Sequence, residues 1–315
     1  MPTEMRVAMC EAIEAQMEQN DAIVVLHADL AKANGLAELS KRFGDRAFNV
    51  GVAEQNMASM AAGMASYGMI PVINTFAAFA SRRLCDQAAI SIAYSKLNVK
   101  IIGTDPGICG EINGGTHMAF EDIGVMRSIP GMCVAEPCDP EELRQMMRAV
   151  LNMDGPAYIR TSRKTVPDIH SPEYRFEFGK ADVLREGKDI TIVAAGITVY
   201  DALQAADKLE ENGIHAEVIN LHTLKPVDTE TIAASANKTG AVLTVENHNI
   251  FGGLRSVVAE TLSYACPVRI WPLGINDVKG EVGFLDYLKK RYEIDCDSIV
   301  AAAQRMVEAK ADSGR

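Results

Sequence analysis

The sequence predicts an α/β protein of two domains, each a mostly parallel sheet flanked by helices, and three observations carry that prediction. Helical and strand periodicities alternate along the chain, as strand–helix–strand units require. The alternation breaks between Thr165 and Gly187, where Pro167, Pro172 and Gly179 sit in a mixed-charge stretch of the kind that connects domains. The chain has 315 residues, 48% of them hydrophobic, enough to bury a core in each domain. The expected layout is a first domain over residues 1–165, a linker over 166–187 and a second domain over 188–315.

The elements follow in order. Met5, Ala8, Met9, Ala12, Ile13 and Met17 recur at helical spacing and predict a first helix over 5–17. Asp21 then introduces the apolar run over 22–26, a strand. A helix over 54–67, a strand over 70–73, a helix over 80–94 and a strand over 99–103 continue the pattern, and the last opens into a glycine-rich loop over 106–115. Asp139 caps a helix that starts at Pro140-Glu141-Glu142, and the strand over 157–160 closes the first domain. The second domain starts with a buried-strand run over 189–196, followed by a helix over 200–212 and strands over 216–220 and 241–245.

Composition excludes several classes. Against 31 basic residues stand 42 acidic ones, a net charge of −11, so the chain lacks the electrostatic footprint that grips nucleic acid or an anionic membrane. Seven cysteines without a CxxC suit reduced thiols better than a disulfide framework or a zinc site, and no metal ligand is expected in this chain. The start carries no charged and apolar leader, and no long apolar run appears, so a soluble cytoplasmic protein is expected. There is no GxxxxGK[ST], no GxGxxG opening a helix after a strand, no HExxH and no GxSxG. Chemistry must come from scattered polar groups or from a cofactor that another surface helps to hold.

Three clusters hold candidate chemistry. Glu54, in Val52-Ala53-Glu54-Gln55-Asn56, opens a helix of small residues; alone it reads as a first-turn glutamate set against the helix dipole. His117, in Gly114-Gly115-Thr116-His117, reads alone as a solvated loop histidine. In the run from Glu246 through Asn247 and His248 to Leu254, Gly252 and Gly253 let a helix N-terminus approach a neighbour closely.

The order of these clusters carries more than any one of them. Gly51-Val52-Ala53-Glu54-Gln55-Asn56-Met57, Thr75-Phe76-Ala77-Ala78-Phe79, Ser91-Ile92-Ala93-Tyr94, Gly114-Gly115-Thr116-His117, Glu121-Asp122-Ile123 and Ile129-Pro130-Gly131-Met132 together closely resemble the C-terminal half of transketolase. The resemblance runs the length of the chain, from Arg6 to Glu246, His248 and the last domain.

That resemblance implies a thiamine diphosphate enzyme whose pyrimidine-binding domain comes first and whose transketolase C-terminal domain follows. Such enzymes need a carboxylate against N1′ of the aminopyrimidine, because stabilising the charged ring tautomer lets the 4′-imino group take the proton from C2 of the thiazolium. Glu54 matches that position. Phe76 and Phe79 match the aromatic slot for the pyrimidine, although unaided they read as core, and Asp29 matches an aspartate near the cofactor. His117 matches the histidine that hydrogen-bonds the substrate's C1 hydroxyl, and Arg6 and Arg163 match arginines that hold the terminal phosphate of sugar phosphates.

Departures from the family pattern bear on the substrate. Two further phosphate-contact positions fall on Ala33 and Asp105, and the aspartate that reads hydroxyl configuration falls on Asn113. An aromatic of the pyrimidine cluster becomes Arg82, and a glutamine after the histidine becomes Met118. The resemblance also implies a GDG motif that anchors the diphosphate through Mg2+ or Ca2+, and none occurs here. The expectation is a split enzyme in which an N-terminal partner subunit carries GDG and the metal, most simply as an α2β2 assembly, transferring a two-carbon ketol unit from a ketose to an aldose of the pentose phosphate kind or beyond it. The β subunit of a 2-oxoacid dehydrogenase E1 component, a 1-deoxyxylulose-5-phosphate synthase-like enzyme and an inactive scaffold subunit are the alternatives.

Overall fold

The structure, a computed structural model, describes residues 3–312. Strands β1 (Ile23–His27), β2 (Ala47–Asn49), β3 (Ile70–Phe76), β4 (Lys100–Thr104), β5 (Cys133–Ala135) and β6 (Ala157–Thr161) lie parallel in one sheet. β1, β4 and β6 are buried at every position, because helices cover both faces; their apolar residues therefore run on instead of alternating with polar ones. Side chains still alternate between the two layers. Val25, Val72, Ile102 and Ile159 face one core with helices α1 (Met5–Met17) and α6 (Pro140–Leu151), while Leu26, Ile73, Ile101 and Tyr158 face the other with α3 (Glu54–Ser66) and α5 (Asp122–Ser128). Two short helices, α2 (Ala37–Arg42) and α4 (Ala77–Arg82), complete this unit.

The second sheet contains β7 (Asp182–Arg185), β8 (Ile190–Ala194), β9 (Ala216–Asn220), β11 (Ala241–Asn249) and β12 (Arg269–Ile275), in the order β12-β11-β8-β9-β7. All its pairings are parallel except that of β7 with β9. Helices α7 (Val199–Glu211) and α11 (Cys296–Asp312) pack on one face, and α8 (Thr229–Thr239) and α9 (Leu254–Ala265) on the other; α10 (Leu285–Arg291) stands at the rim. No helix of the described residues is long and apolar enough to cross a membrane.

Three features depart from the sequence reading. The segment expected as a connector ends in β7, whose four residues include Asp182 and Arg185, too short and too charged to read as a strand. β10 (Thr223–Lys225) leaves the second sheet and pairs antiparallel with β5, so the first sheet has seven strands and takes an edge strand from the other unit. The helix expected over 80–94 is broken: α4 starts directly after β3, the chain turns at Arg83 and Leu84, and Gln87–Tyr94 is π-helical, a form enriched at functional sites.

Candidate active site

In open parallel sheets ligands sit beyond the carboxyl ends of the strands. There β3 ends on Phe76, β4 runs out at Thr104 into Asp105, and β6 at Thr161 leads to Arg163. Glu54 reaches the same edge as the first residue of α3. It is only 4% exposed and accepts a hydrogen bond from Arg83 Nη1 at 2.9 Å. The helix N-terminus and the guanidinium both stabilise its negative charge.

Arg83 links the carboxylate to the aromatic slot, its Cζ lying 3.8 Å from the centroid of the Phe79 ring. Phe79 and Phe76 are tilted to one another at 5.9 Å. His117 meets both edge-on, at 5.3 Å from Phe79 and 6.1 Å from Phe76. Its Nδ1 is 2.9 Å from Thr116 Oγ1, and Nε2 makes no hydrogen bond to a described residue.

On the far side of the slot, Arg163 Cζ lies 4.8 Å from the Phe76 ring centroid. Asp105, 2% exposed, accepts from Arg163 Nε at 2.6 Å and from its backbone N–H at 3.1 Å. Burial pushes the Asp105 carboxyl above its usual range, and Arg163 opposes that shift. Its backbone is left-handed, φ 51°, uncommon for a residue other than glycine and a mark of a constrained site. Asp105 is therefore no free carboxylate facing a substrate; its charge is engaged by the arginine expected to hold the anion. Arg163 Nη1 and Arg6 Nη1 both donate to the Ala33 carbonyl, at 3.1 and 3.2 Å, and Arg6 Nε also bonds Glu4 Oε2 at 2.7 Å.

Two candidates lie apart from this line. Asp29, exposed and at φ 59°, exchanges hydrogen bonds with Asn49 at 3.0 and 3.1 Å, and Asn49 Oδ1 also accepts from Gly51 N–H at 3.0 Å. It braces the turn that leads to Glu54. Asn113 is exposed at the end of a 3-10 turn, and no side-chain hydrogen bond ties it to the cluster.

Residues that the sequence reading missed position this site. Arg83 is one. Arg82, which the sequence marked only as a departure from an aromatic position, is a second: its guanidinium pairs with Glu121 and donates to Met118 O at 2.8 Å, clasping the loop that carries His117. Beneath the loop, fully buried Arg160 donates to Asp122 Oδ2 at 2.8 Å, Glu136 Oε2 at 2.7 Å and Asn247 O at 3.0 Å. Asn247 in turn bonds Pro106 O at 3.0 Å and Ile108 N at 2.8 Å. The second unit thus grips the glycine-rich loop of the first. No spacing in the sequence announces these pairs, because the partners come from elements far apart along the chain.

Comparison with known proteins places the chain in a family. Residues 2–168 match the transketolase pyrimidine-binding domain, and residues 179–299 the transketolase C-terminal domain. The 6-deoxy-6-sulfo-D-fructose transketolase subunit of Clostridium sp. (strain MSTE9) is 50% identical, over 93% of this chain and 91% of that protein. An apulose-4-phosphate transketolase subunit from Phocaeicola vulgatus is 37% identical, over 92% of this chain and 93% of its own. A solved structure described as a split gene transketolase, inactive beta4 tetramer, superposes with a TM-score of 0.89 at 41% identity, over 98% of this chain and 99% of that one. The chain belongs to the transketolase family.

Proposed function

We propose that this chain is the C-terminal subunit of a split, thiamine diphosphate-dependent transketolase, working with an N-terminal subunit that carries the GDG motif, in an α2β2 assembly. The observation that supports it is the continuous line from Glu54 through Arg83, Phe79, His117 and Phe76 to Arg163. A buried carboxylate with one guanidinium partner beside an aromatic slot fits an aminopyrimidine. When bound, thiamine diphosphate supplies the nucleophilic carbon that cleaves the ketose beside its carbonyl and carries the two-carbon unit to an aldose. In that role Glu54 holds its charge against the ring nitrogen, Phe76 and Phe79 line the ring edge, and His117 Nε2 addresses the ketose hydroxyl. The Mg2+ or Ca2+ belongs to the partner, since this chain brings no GDG.

The proposed donor is a ketose with a terminal sulfonate. Arg6 and Arg163 are each balanced by one carboxylate, Glu4 and Asp105, which leaves less net positive charge than two bare guanidiniums. A sulfonate carries one negative charge, whereas a phosphate monoester at neutral pH carries about 1.5 to 2. Ala33 and Asn113 offer no added charge. The 50% identical relative is named for a sulfonated ketose, and the 37% identical one for a phosphorylated sugar, so both classes belong in the test. With the pair reconstituted, kcat/KM is compared for 6-sulfo- and 6-phospho-ketoses. A clear preference for the sulfonate supports the reading, and an equal margin for phosphate removes it.

A further inference from the structure

The glycine-rich loop of the first unit holds one residue in a conformation that its side chain resists. Glu111 has φ 43° and ψ −117°, outside the regions open to residues with a Cβ. The values are close to the first central position of a type II′ turn, where glycine is the usual occupant. Strain of this kind persists only where the surroundings over-determine it, and it gathers at ligand clamps and switch segments.

Glu111 is 6% exposed, and both of its carboxylate oxygens are engaged. Oε1 accepts the backbone N–H of Leu285, the first residue of α10, at 3.0 Å. Oε2 pairs with Lys164, the neighbour of Arg163. One side chain thus joins the loop to α10 of the second unit and to the chain leaving β6. The segment leading into α10 also lies against the rest of the loop: a Cβ on Gly115 would collide with Gly280 O, and one on Gly280 with Met118 Sδ. Asn247 holds the start of the loop at Pro106 and Ile108. Glu111 holds its middle.

From Glu111 the hydrogen bonding runs on to the candidate site. Its carbonyl accepts the Gly114 N–H at 3.1 Å, and the Gly114 carbonyl accepts the His117 N–H at 3.0 Å. Two consecutive tight turns therefore connect the strained glutamate to the histidine, and Asn113 lies within the first of them.

We infer that Glu111 is a positioning residue for the ketose: by tying the middle of the loop to α10 it fixes where Asn113 and His117 stand. The second unit, which supplies none of the groups along the slot, acts on the substrate through this tether. The inference rests on the transketolase reading for what the loop addresses, while the tether itself is a feature of this chain.

Three variants test it. Glu111→Gly suits the backbone and removes the tether, and Glu111→Gln keeps an acceptor for the Leu285 N–H. Leu285→Pro deletes the donor from the other unit; proline is tolerated at the first position of a helix, and Phe284 before it is extended at ψ 157°, as proline requires. In the isolated chain, hydrogen–deuterium exchange of the amides over 112–117 should be about tenfold faster or more in Glu111→Gly and Leu285→Pro, and near the wild-type rate in Glu111→Gln. In the reconstituted pair the ketose KM should rise about 10–100-fold in the first two, as a small misplacement of a substrate-facing group can cause. Combining them should add no further loss. Exchange at C2 of thiamine diphosphate should keep its wild-type rate in all three, because Glu54 stands on α3, outside the loop. A merely structural role would lower C2 exchange and ketose use together. If Glu111→Gly fails to fold, Leu285→Pro and the glutamine variant decide. A wild-type KM in folded Glu111→Gly, or equal loop exchange in all the proteins, overturns the inference and leaves the transketolase reading standing. A wild-type pair that transfers no ketol unit removes that reading instead, and the loop exchange still decides the tether.

Discussion

Glu54 is buried while its partner Arg83 is half-exposed, so the two ends of this ion pair respond differently to mutation. Water can solvate Arg83 if the carboxylate goes, which keeps the structural cost of Glu54→Gln small. Asp105 is the reverse case, a buried acid whose charge is met by Arg163. Asp105→Asn keeps its size but frees a positive charge beside the Ala33 carbonyl. At about 1 kcal/mol for unit charges about 4 Å apart in water, kcat/KM for phosphorylated relative to sulfonated ketoses should rise about fivefold or more. An unchanged ratio in steady-state assays would show that Asp105 does not tune the anion. Glu54, Phe76, Phe79 and His117 could be found in the sequence because each sits in a short contiguous string. Arg83 could not, since an arginine in a stretch that reads as one continuous helix carries no pattern. The same holds for the Asp105 and Arg163 pair, which only the adjacency of β4 and β6 brings together.

The start of α9 shows how a helix terminus can be locked to a neighbouring strand. Glu246 within β11 accepts Leu254 and Arg255 N–H groups at 2.6 and 3.0 Å. A Cβ on Gly253 would overlap Glu246 Oε2 and His248 Nδ1. Gly253→Ala should therefore destabilise the chain by about 1–3 kcal/mol, the usual cost of overpacking, read as a lower midpoint in urea unfolding. Burial raises the Glu246 carboxyl from 4.5 to about 8 despite those two donors. Folding then takes up a proton between about pH 4.5 and 8, so this group's stabilising share is complete below that window and is lost as pH rises through it. The Tm of wild type should fall relative to Glu246→Gln across the same window, and parallel curves would refute the assignment. The two glycines marked this close approach in the sequence. The π-helical stretch and β10 left no such mark, because both arise from tertiary pairing and not from local periodicity.

Across the whole molecule, the strand alternation identified both sheets, but not how they are joined. β10 completes the first sheet from the second unit, and Arg160 ties Asp122 and Glu136 to Asn247 across the junction. These contacts hold the glycine-rich loop and His117 over the slot that Phe76 and Phe79 form. The candidate site on this chain is thus preorganised, and in the split enzyme proposed above the diphosphate and metal would be held by the partner. The most direct measurement is hydrogen–deuterium exchange at C2 of thiamine diphosphate in the reconstituted pair, wild type against Glu54→Gln, with the isolated chain as control. Exchange slowed by about 10²–10⁴ in the folded variant, the usual loss on removing a general acid–base element, and no accelerated exchange with the chain alone, is the predicted result. Equal rates in wild type and Glu54→Gln, or full exchange without the partner, would contradict it.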